Sequence, residues 1–220
     1  MDRPDPRTTY DRIAEHFAAT REYPWPEVES FVADAHRVAL ALDVGCGNGR
    51  HSELLAERAD RVVGLDASRG LLRTARKRDA DRGIGAALVQ GDAATLPFRN
   101  GRVGLAVYVA TLHHLRTRER RIASLDELAR VLASGGRALV GVWSTTHDRF
   151  DREEGFDTTV DWTLPDGETV PRYYHIYDPA EFDSDLTASA LVVHETFRSS
   201  GNCYAAVEAP ERSGGAGART

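Results

Sequence analysis

Lysine is almost absent from this chain: Lys77 is the only one among 220 residues, and the other basic side chains are arginines. Cysteine is scarce too. Cys46 and Cys203 stand far apart, with no Cys-x-x-Cys or Cys/His ligand spacing around them, which argues against a disulfide framework and a self-contained zinc site. No apolar run approaches the roughly 18 residues of a membrane span. Met1-Asp2-Arg3-Pro4-Asp5 lacks the charged-then-apolar start of a secretory leader, so the expected location is cytoplasmic. A formal charge of -6 excludes a protein built throughout as a polycation for nucleic acid. What is present, 41% hydrophobic and 28% charged residues, is ordinary for a globular fold and sufficient for a substantial core. The arginines supply planar, permanently charged donors suited to carboxylate or phosphate.

Residues 1–9, polar and proline-rich, read as a flexible start. Residues 10–209 read as a single domain, and 210–220, which include Ser213-Gly214-Gly215-Ala216-Gly217, as a disordered tail. A first helix is expected over about 10–20, with Ile13 and Phe17 on one face. A second, carrying Val28, Phe31, Val32 and Ala35, follows the break at Pro24-Trp25-Pro26. From Val38 onward strands and helices alternate. Strands are expected at 38–44, 61–66, 86–90, 105–109 and 137–143, with helices at 51–59, 70–82 and 118–132 between them. Gly135-Gly136 serves as the turn into the last of these strands. Such alternation predicts a parallel sheet covered on both faces. Residues 145–177 break the rhythm and read as a polar insertion over the sheet. A short helix at 179–187 and two closing strands, 191–197 and 203–208, complete the pattern as a C-terminal antiparallel hairpin.

The first strand runs into Leu42-Asp43-Val44-Gly45-Cys46-Gly47-Asn48-Gly49. Glycine suits a turn where a ligand must touch backbone or where φ is positive, and in a doubly wound sheet this edge is the binding crevice. Dinucleotide enzymes use a related turn, so the glycines alone do not choose between cofactors. The acids around them do. Asp43, two residues ahead of Gly45, suits the ammonium of a methionine moiety and would repel a pyrophosphate. Asp66 ends the next strand, placed for both hydroxyls of a ribose. Gly91-Asp92-Ala93 puts a third acid at the same edge, where Asp92 can hold an adenine amino group. The set favours S-adenosyl-L-methionine, with Asp43, Gly45, Cys46, Gly47, Asn48, Asp66, Asp92 and Ala93 as its binding residues.

These segments, with Leu128-Ala129-Arg130-Val131-Leu132 and Gly135-Gly136, resemble the class I methyltransferase motifs over about residues 38–143. The resemblance implies a Rossmann-like, mostly parallel seven-stranded sheet with helices on both faces. Tyr10-Asp11-Arg12-Ile13-Ala14 and Thr20-Arg21-Glu22-Tyr23-Pro24-Trp25-Pro26 are similar to the N-terminal motif of the eukaryotic tRNA wobble-uridine carboxymethyl methyltransferases, the family that includes the methyltransferase domain of AlkB homologue 8. Ala110-Thr111-Leu112-His113-His114-Leu115, Val142-Trp143 and Arg172-Tyr173-Tyr174-His175-Ile176-Tyr177 resemble its later segments. Two features depart from the family: Ala133-Ser134 stands where a Lys/Arg-Pro pair is usual, and the insertion after Trp143 is short.

The resemblance implies methyl-ester formation on 5-carboxymethyluridine in the anticodon loop of tRNA, assisted by a small zinc-binding activator subunit. A carboxylate acceptor has a reference pKa of about 4 and needs no general base at neutral pH; it needs alignment and a cation to orient it. Arg21 and Arg172 are the expected cations. His113 and His114 follow the fourth strand, where acceptor and methyl group should meet, and Tyr173 with Tyr174 could stack on a splayed base. Arg116, Arg118, Arg120 and Arg121 form a basic group beside that edge, suited to tRNA phosphates. Two other readings stay open: a small-molecule methyltransferase for a carboxylic acid or quinone-type metabolite, and a methyltransferase-like subunit without catalysis. The intact Asp43, Gly45, Gly47 and Asp66 weigh against the latter.

Overall fold

A computed structural model describes residues 5–211. The flexible start and the tail expected at the two ends fall mainly outside these residues, but positions 6–9 do not. They form the first turn of α1 (Pro6–Ala19), where Asp5 caps the Arg7 N–H and Pro6 supplies a helical φ at a position that needs no donor. That corrects the loose start expected over 1–9.

Seven strands form one sheet in the order β3-β2-β1-β4-β5-β9-β8. β1 (Ala41–Val44), β2 (Val62–Asp66), β3 (Ala87–Gln90), β4 (Val103–Val109) and β5 (Leu132–Trp143) run parallel. β8 (Val192–Ser199) and β9 (Asn202–Glu208) close the far side as the expected antiparallel hairpin. The order reverses between β1 and β4, which opens a crevice at their carboxyl ends.

Alternation along β4 decides which layer each face meets. Ala106 and Tyr108 pack in the core that includes Leu125 and Leu128 of α5 (Arg118–Val131) and Phe182 and Leu186 of α6 (Pro179–Ala188). Leu105, Val107 and Val109 pack on the other face, with Val28 and Val32 of α2 (Pro26–Ala33) and Leu55 of α3 (Arg50–Leu55). α4 (Arg69–Arg82) lies against β2 and β3 and receives α1 across Gly70, where a β-carbon would stand 2.8 Å from Asp11 O and Ala14 Cβ.

Two expectations change. β5 begins at Leu132, not after a turn at Gly135-Gly136, because the glycines form a bulge that keeps the strand paired with β4; a β-carbon at Gly136 would meet Val103 O at 2.6 Å. The 145–177 segment contains a second, two-stranded sheet, β6 (Phe156–Thr163) and β7 (Thr169–Ile176). Its alternation is concealed because the buried residues of β7 include Arg172 and His175 beside Val170, Tyr173 and Tyr174. Among the described residues, no helix is long and apolar enough to cross a membrane.

Candidate active site

β1 ends in a turn whose three glycines all have positive φ: Gly45 at 73°, Gly47 at 55° and Gly49 at 80°. At Gly45 a side chain would also collide with Thr111, which follows β4. The turn is tied to β2 by backbone bonds from Gly45 and Cys46 N–H to Leu65 O, at 2.7 and 2.9 Å. Asp66, at the end of β2, accepts from Gly47 N–H at 2.9 Å and from Ser68 N–H at 2.8 Å. Burial pushes its carboxyl up to about 6, against the pull of those two donors.

Beside the turn lies a cavity of about 610 Å³. Of the residues expected from the sequence, Gly45, Gly47, Asp66, Asp92, Ala93 and His114 line it. The rest do not. Asp43 shares the strand face of Ala41, so its carboxylate points into the α3 layer and accepts from Ser52 Oγ at 2.7 Å. Only 1% exposed, it is placed to support the turn from below rather than to meet an ammonium in the cavity. Cys46 is a buried packing residue whose thiol burial pushes well up. Asn48 is turned outward from the turn to α1 and the loop after it, donating to Ala18 O and, at 2.8 Å, to Arg21 O. It fastens the first helix over the site.

His113 is 3% exposed, and its Nδ1 accepts from Trp143 N–H at 3.0 Å, a role inside the core. Tyr173 is 1% exposed, with its hydroxyl donating to Asp157 at 2.8 Å. Tyr174 is buried as well, so neither ring is presented for base stacking.

What these residues form instead is a polar chain ending at the cavity. A guanidinium can only donate and a carbonyl can only accept, so the two ends set its direction. Arg172 Nη1–H donates to Tyr174 Oη at 2.7 Å, Tyr174 meets Tyr10 Oη at 3.3 Å, and Tyr10 meets His114 Nε2 at 3.0 Å. His114 Nδ1–H then donates to Tyr173 O at 2.8 Å. Burial is the main cause of a His114 pKa of about 4 and pushes the Tyr10 phenol well up, so both are neutral near pH 7. Arg172 Nε is buried without a partner. Arg21 lies over the rings of Phe17 and Trp162, and Arg172 over Trp162 and Tyr174.

The basic group at 116–121 is largely consumed by ion pairs. Arg118 binds Asp185 at 2.6 Å, Arg120 binds Asp92 at 2.6 Å, and Arg121, its side chain 4% exposed, binds Glu181 at 3.1 Å. His175 bridges Glu181 to Asp157, which joins the β6–β7 hairpin to α6. Arg116 and Arg120 both line the cavity, Arg116 with its guanidinium over the Tyr173 ring.

Comparison with known proteins places this geometry. A family model described as a methyltransferase domain matches residues 41–136. A relative from Encephalitozoon cuniculi, whose name goes no further than methyltransferase, is 36% identical over 175 residues, covering 76% of this chain and 78% of its own. The chain belongs to the S-adenosylmethionine-dependent methyltransferases. Another member, the tRNA (carboxymethyluridine(34)-5-O)-methyltransferase of Xenopus tropicalis, is 39% identical over 135 residues, or 61% of this chain. The match spans only 20% of that protein's length. Among solved structures, the CcbJ methyltransferase of Streptomyces caelestis superposes with a TM-score of 0.76 at 20% identity, covering 94% of this chain and all of that one. A chain of the Haloferax volcanii complex between the Trm112 methyltransferase activator and a methyltransferase gives 0.69 at 17%, covering 94% and 98%. At such identities these two matches establish the fold alone.

The residues of this methyltransferase fit its cofactor. A β-carbon at Gly47 would have nothing nearer than Phe17 Cε1 at 3.8 Å, so the bare turn leaves open space facing the cavity. Asp66 lines that space with oxygen lone pairs left beyond its two backbone donors. The sequence reading missed Thr111, Ser68 and the cavity role of Tyr10. Tyr10 was legible only as part of a motif, since nothing in its own helix signals a partner 104 residues away.

Proposed function

We propose that this methyltransferase transfers the methyl group of S-adenosylmethionine to the carboxylate of 5-carboxymethyluridine at the tRNA wobble position. The observation that carries the reading is a buried guanidinium, Arg172, with an unpartnered Nε and no carboxylate partner among the described residues, joined through Tyr174 and Tyr10 to the cavity wall. An uncompensated buried cation is costly unless an anion completes it. Arg21, sharing the Trp162 ring, adds a second. The name of the Xenopus relative supports the nucleoside, and the match to a chain from the activator complex supports an activator subunit as partner; that this partner is small and binds zinc is part of the proposal.

S-adenosylmethionine supplies the electrophilic methyl. Asp66 would hold the ribose hydroxyls and Asp92, released from or shared with Arg120, the adenine edge. Neither guanidinium lines the cavity itself: Arg172, behind Tyr174 and Tyr10, and Arg21, over Phe17, would favour the acceptor carboxylate by their charge, leaving its oxygens free for in-line attack. Neutral His114 and Tyr10, whose N–H and O–H are already given to Tyr173 O and His114 Nε2, line the site and exclude water, and no proton needs removing from an acceptor that is already ionised. The test is deletion of the gene followed by mass spectrometry of wobble nucleosides. Loss of the carboxymethyluridine methyl ester, with the free acid accumulating, is expected. An unchanged nucleoside profile would overturn the assignment.

A further inference from the structure

Most arginines around α4 and α5 are neutralised. Arg78 and Arg82 bind Glu22 and Glu53, and Arg130 binds Glu127. Arg50 is different. It opens α3, where a cation faces the positive end of the helix. Among the described residues its guanidinium has no ion-pair partner. Its contacts are the carbonyl of Tyr23, to which Nη1 donates at 3.2 Å, and the Trp25 ring at 5.3 Å. Arg21 and Arg78 are close enough to push its pKa down together with burial, to about 10; Asp43 and Tyr204 act the other way without neutralising it. Two residues from Arg21 along the same loop, Tyr23 is 79% exposed, its ring standing free in solvent. Asn48 holds the loop against the glycine turn through Arg21 O, and Arg21 in turn covers Phe17 on the cavity wall. Cation, exposed ring and cavity are therefore joined by one short, fastened segment.

We propose that Arg50 and Tyr23 extend the acceptor site into a track for single-stranded RNA, Arg50 taking a backbone phosphate and Tyr23 stacking on a base next to the one in the cavity. This rests on the tRNA reading above and adds to it where the flanking nucleotides lie. Alternating cations and aromatic faces are what an unpaired strand requires: charge follows its backbone, and a ring accepts any base. The acidic total is no obstacle, because a phosphate responds to the local field, and Arg21, Arg50 and Arg78 stand close together here.

The experiment is fluorescence anisotropy with a labelled anticodon stem-loop RNA, over a range of salt, on wild type, Arg50→Gln and Tyr23→Ala. Affinity for S-adenosylhomocysteine is measured calorimetrically in parallel. Tyr23→Ala removes a ring that packs on nothing and should weaken RNA binding roughly tenfold. Arg50→Gln should weaken it and reduce the slope of log K against log salt by about 0.7, the value for one phosphate on a single strand. Both should keep the wild-type affinity for S-adenosylhomocysteine. Two variants that bind RNA like wild type would overturn the track while leaving the tRNA reading standing. Arg50→Gln losing RNA and S-adenosylhomocysteine together, with Tyr23→Ala unaffected, would overturn it too, because Arg50 would then serve the glycine turn. A wild-type protein with no affinity for the RNA would overturn the tRNA reading itself.

Discussion

Asp43 and Asp66 occupy adjacent strands, both buried, and burial raises the carboxyl of Asp43 to about 7 and of Asp66 to about 6. Both lie above the usual carboxylate value, so between about pH 4 and 7 the folded chain binds more protons than the unfolded one, and these groups make stability fall as pH rises. The buried histidines act oppositely: His51, down to about 3, and His114, down to about 4, stay neutral where the unfolded chain would protonate, so their contribution rises with pH between about 4 and 6.5. Asp43→Asn separates the two. It removes an ionisation that burial opposes while leaving an oxygen for Ser52. The difference in Tm between pH 5 and pH 8, read by scanning fluorimetry, should shift in favour of pH 8 relative to wild type. An identical pH dependence would mean that the Asp43 carboxyl is not held protonated by its surroundings.

At the scale of elements, α1 is the piece that turns an open sheet edge into a closed site. It is fastened at several points. Asp11 accepts from Ser68 Oγ and Gly70 N–H, both at 2.7 Å, and Trp162 Nε1–H donates to His16 at 3.0 Å. Arg12 pairs with Glu168. The close approach depends on Gly70, at the start of α4. Gly70→Ala should therefore cost about 1–3 kcal/mol by overpacking, although alanine is the better helix former. Displaced, α1 would carry Tyr10 away from His114, so S-adenosylhomocysteine affinity should fall as well. Urea unfolding and calorimetry check the two effects; a more stable variant would show that the helices have room to spare.

At the scale of the whole molecule, the cavity is bounded by the sheet edge, by α1 and by the segment after β4, with the β6–β7 hairpin behind His114. A ligand there bridges parts of the chain that are distant in sequence. Saturating S-adenosylhomocysteine, at a hundred times its Kd, should stabilise the fold by about 2.7 kcal/mol through mass action. Hydrogen exchange should slow in α1 as well as in the glycine turn. Protection confined to the turn would mean that α1 does not close over the cofactor.

Order and chemistry along the chain were legible because both repeat locally. Apolar strands alternating with helices predict a covered parallel sheet, and glycines followed by acids at successive strand ends mark its binding edge. Asp66, Asp92, Gly45 and Gly47, read this way, do line the cavity. Whether a side chain faces the cavity was decided only in three dimensions. Asp43, expected to meet an ammonium, turns instead to Ser52 in the α3 layer, because a one-residue step along β1 exchanges the layers its side chains meet. Arg118, Arg120 and Arg121 read as a basic patch until α5 met Asp92 and α6, whose carboxylates neutralise them. Arg172 and His175 made β7 look like polar insertion because their burial depends on groups from other elements: Tyr10 of α1 behind Tyr174, Asp157 of β6 and Glu181 of α6. Local pattern determined the fold and the cofactor edge; long-range packing decided which charges remained free to bind anything.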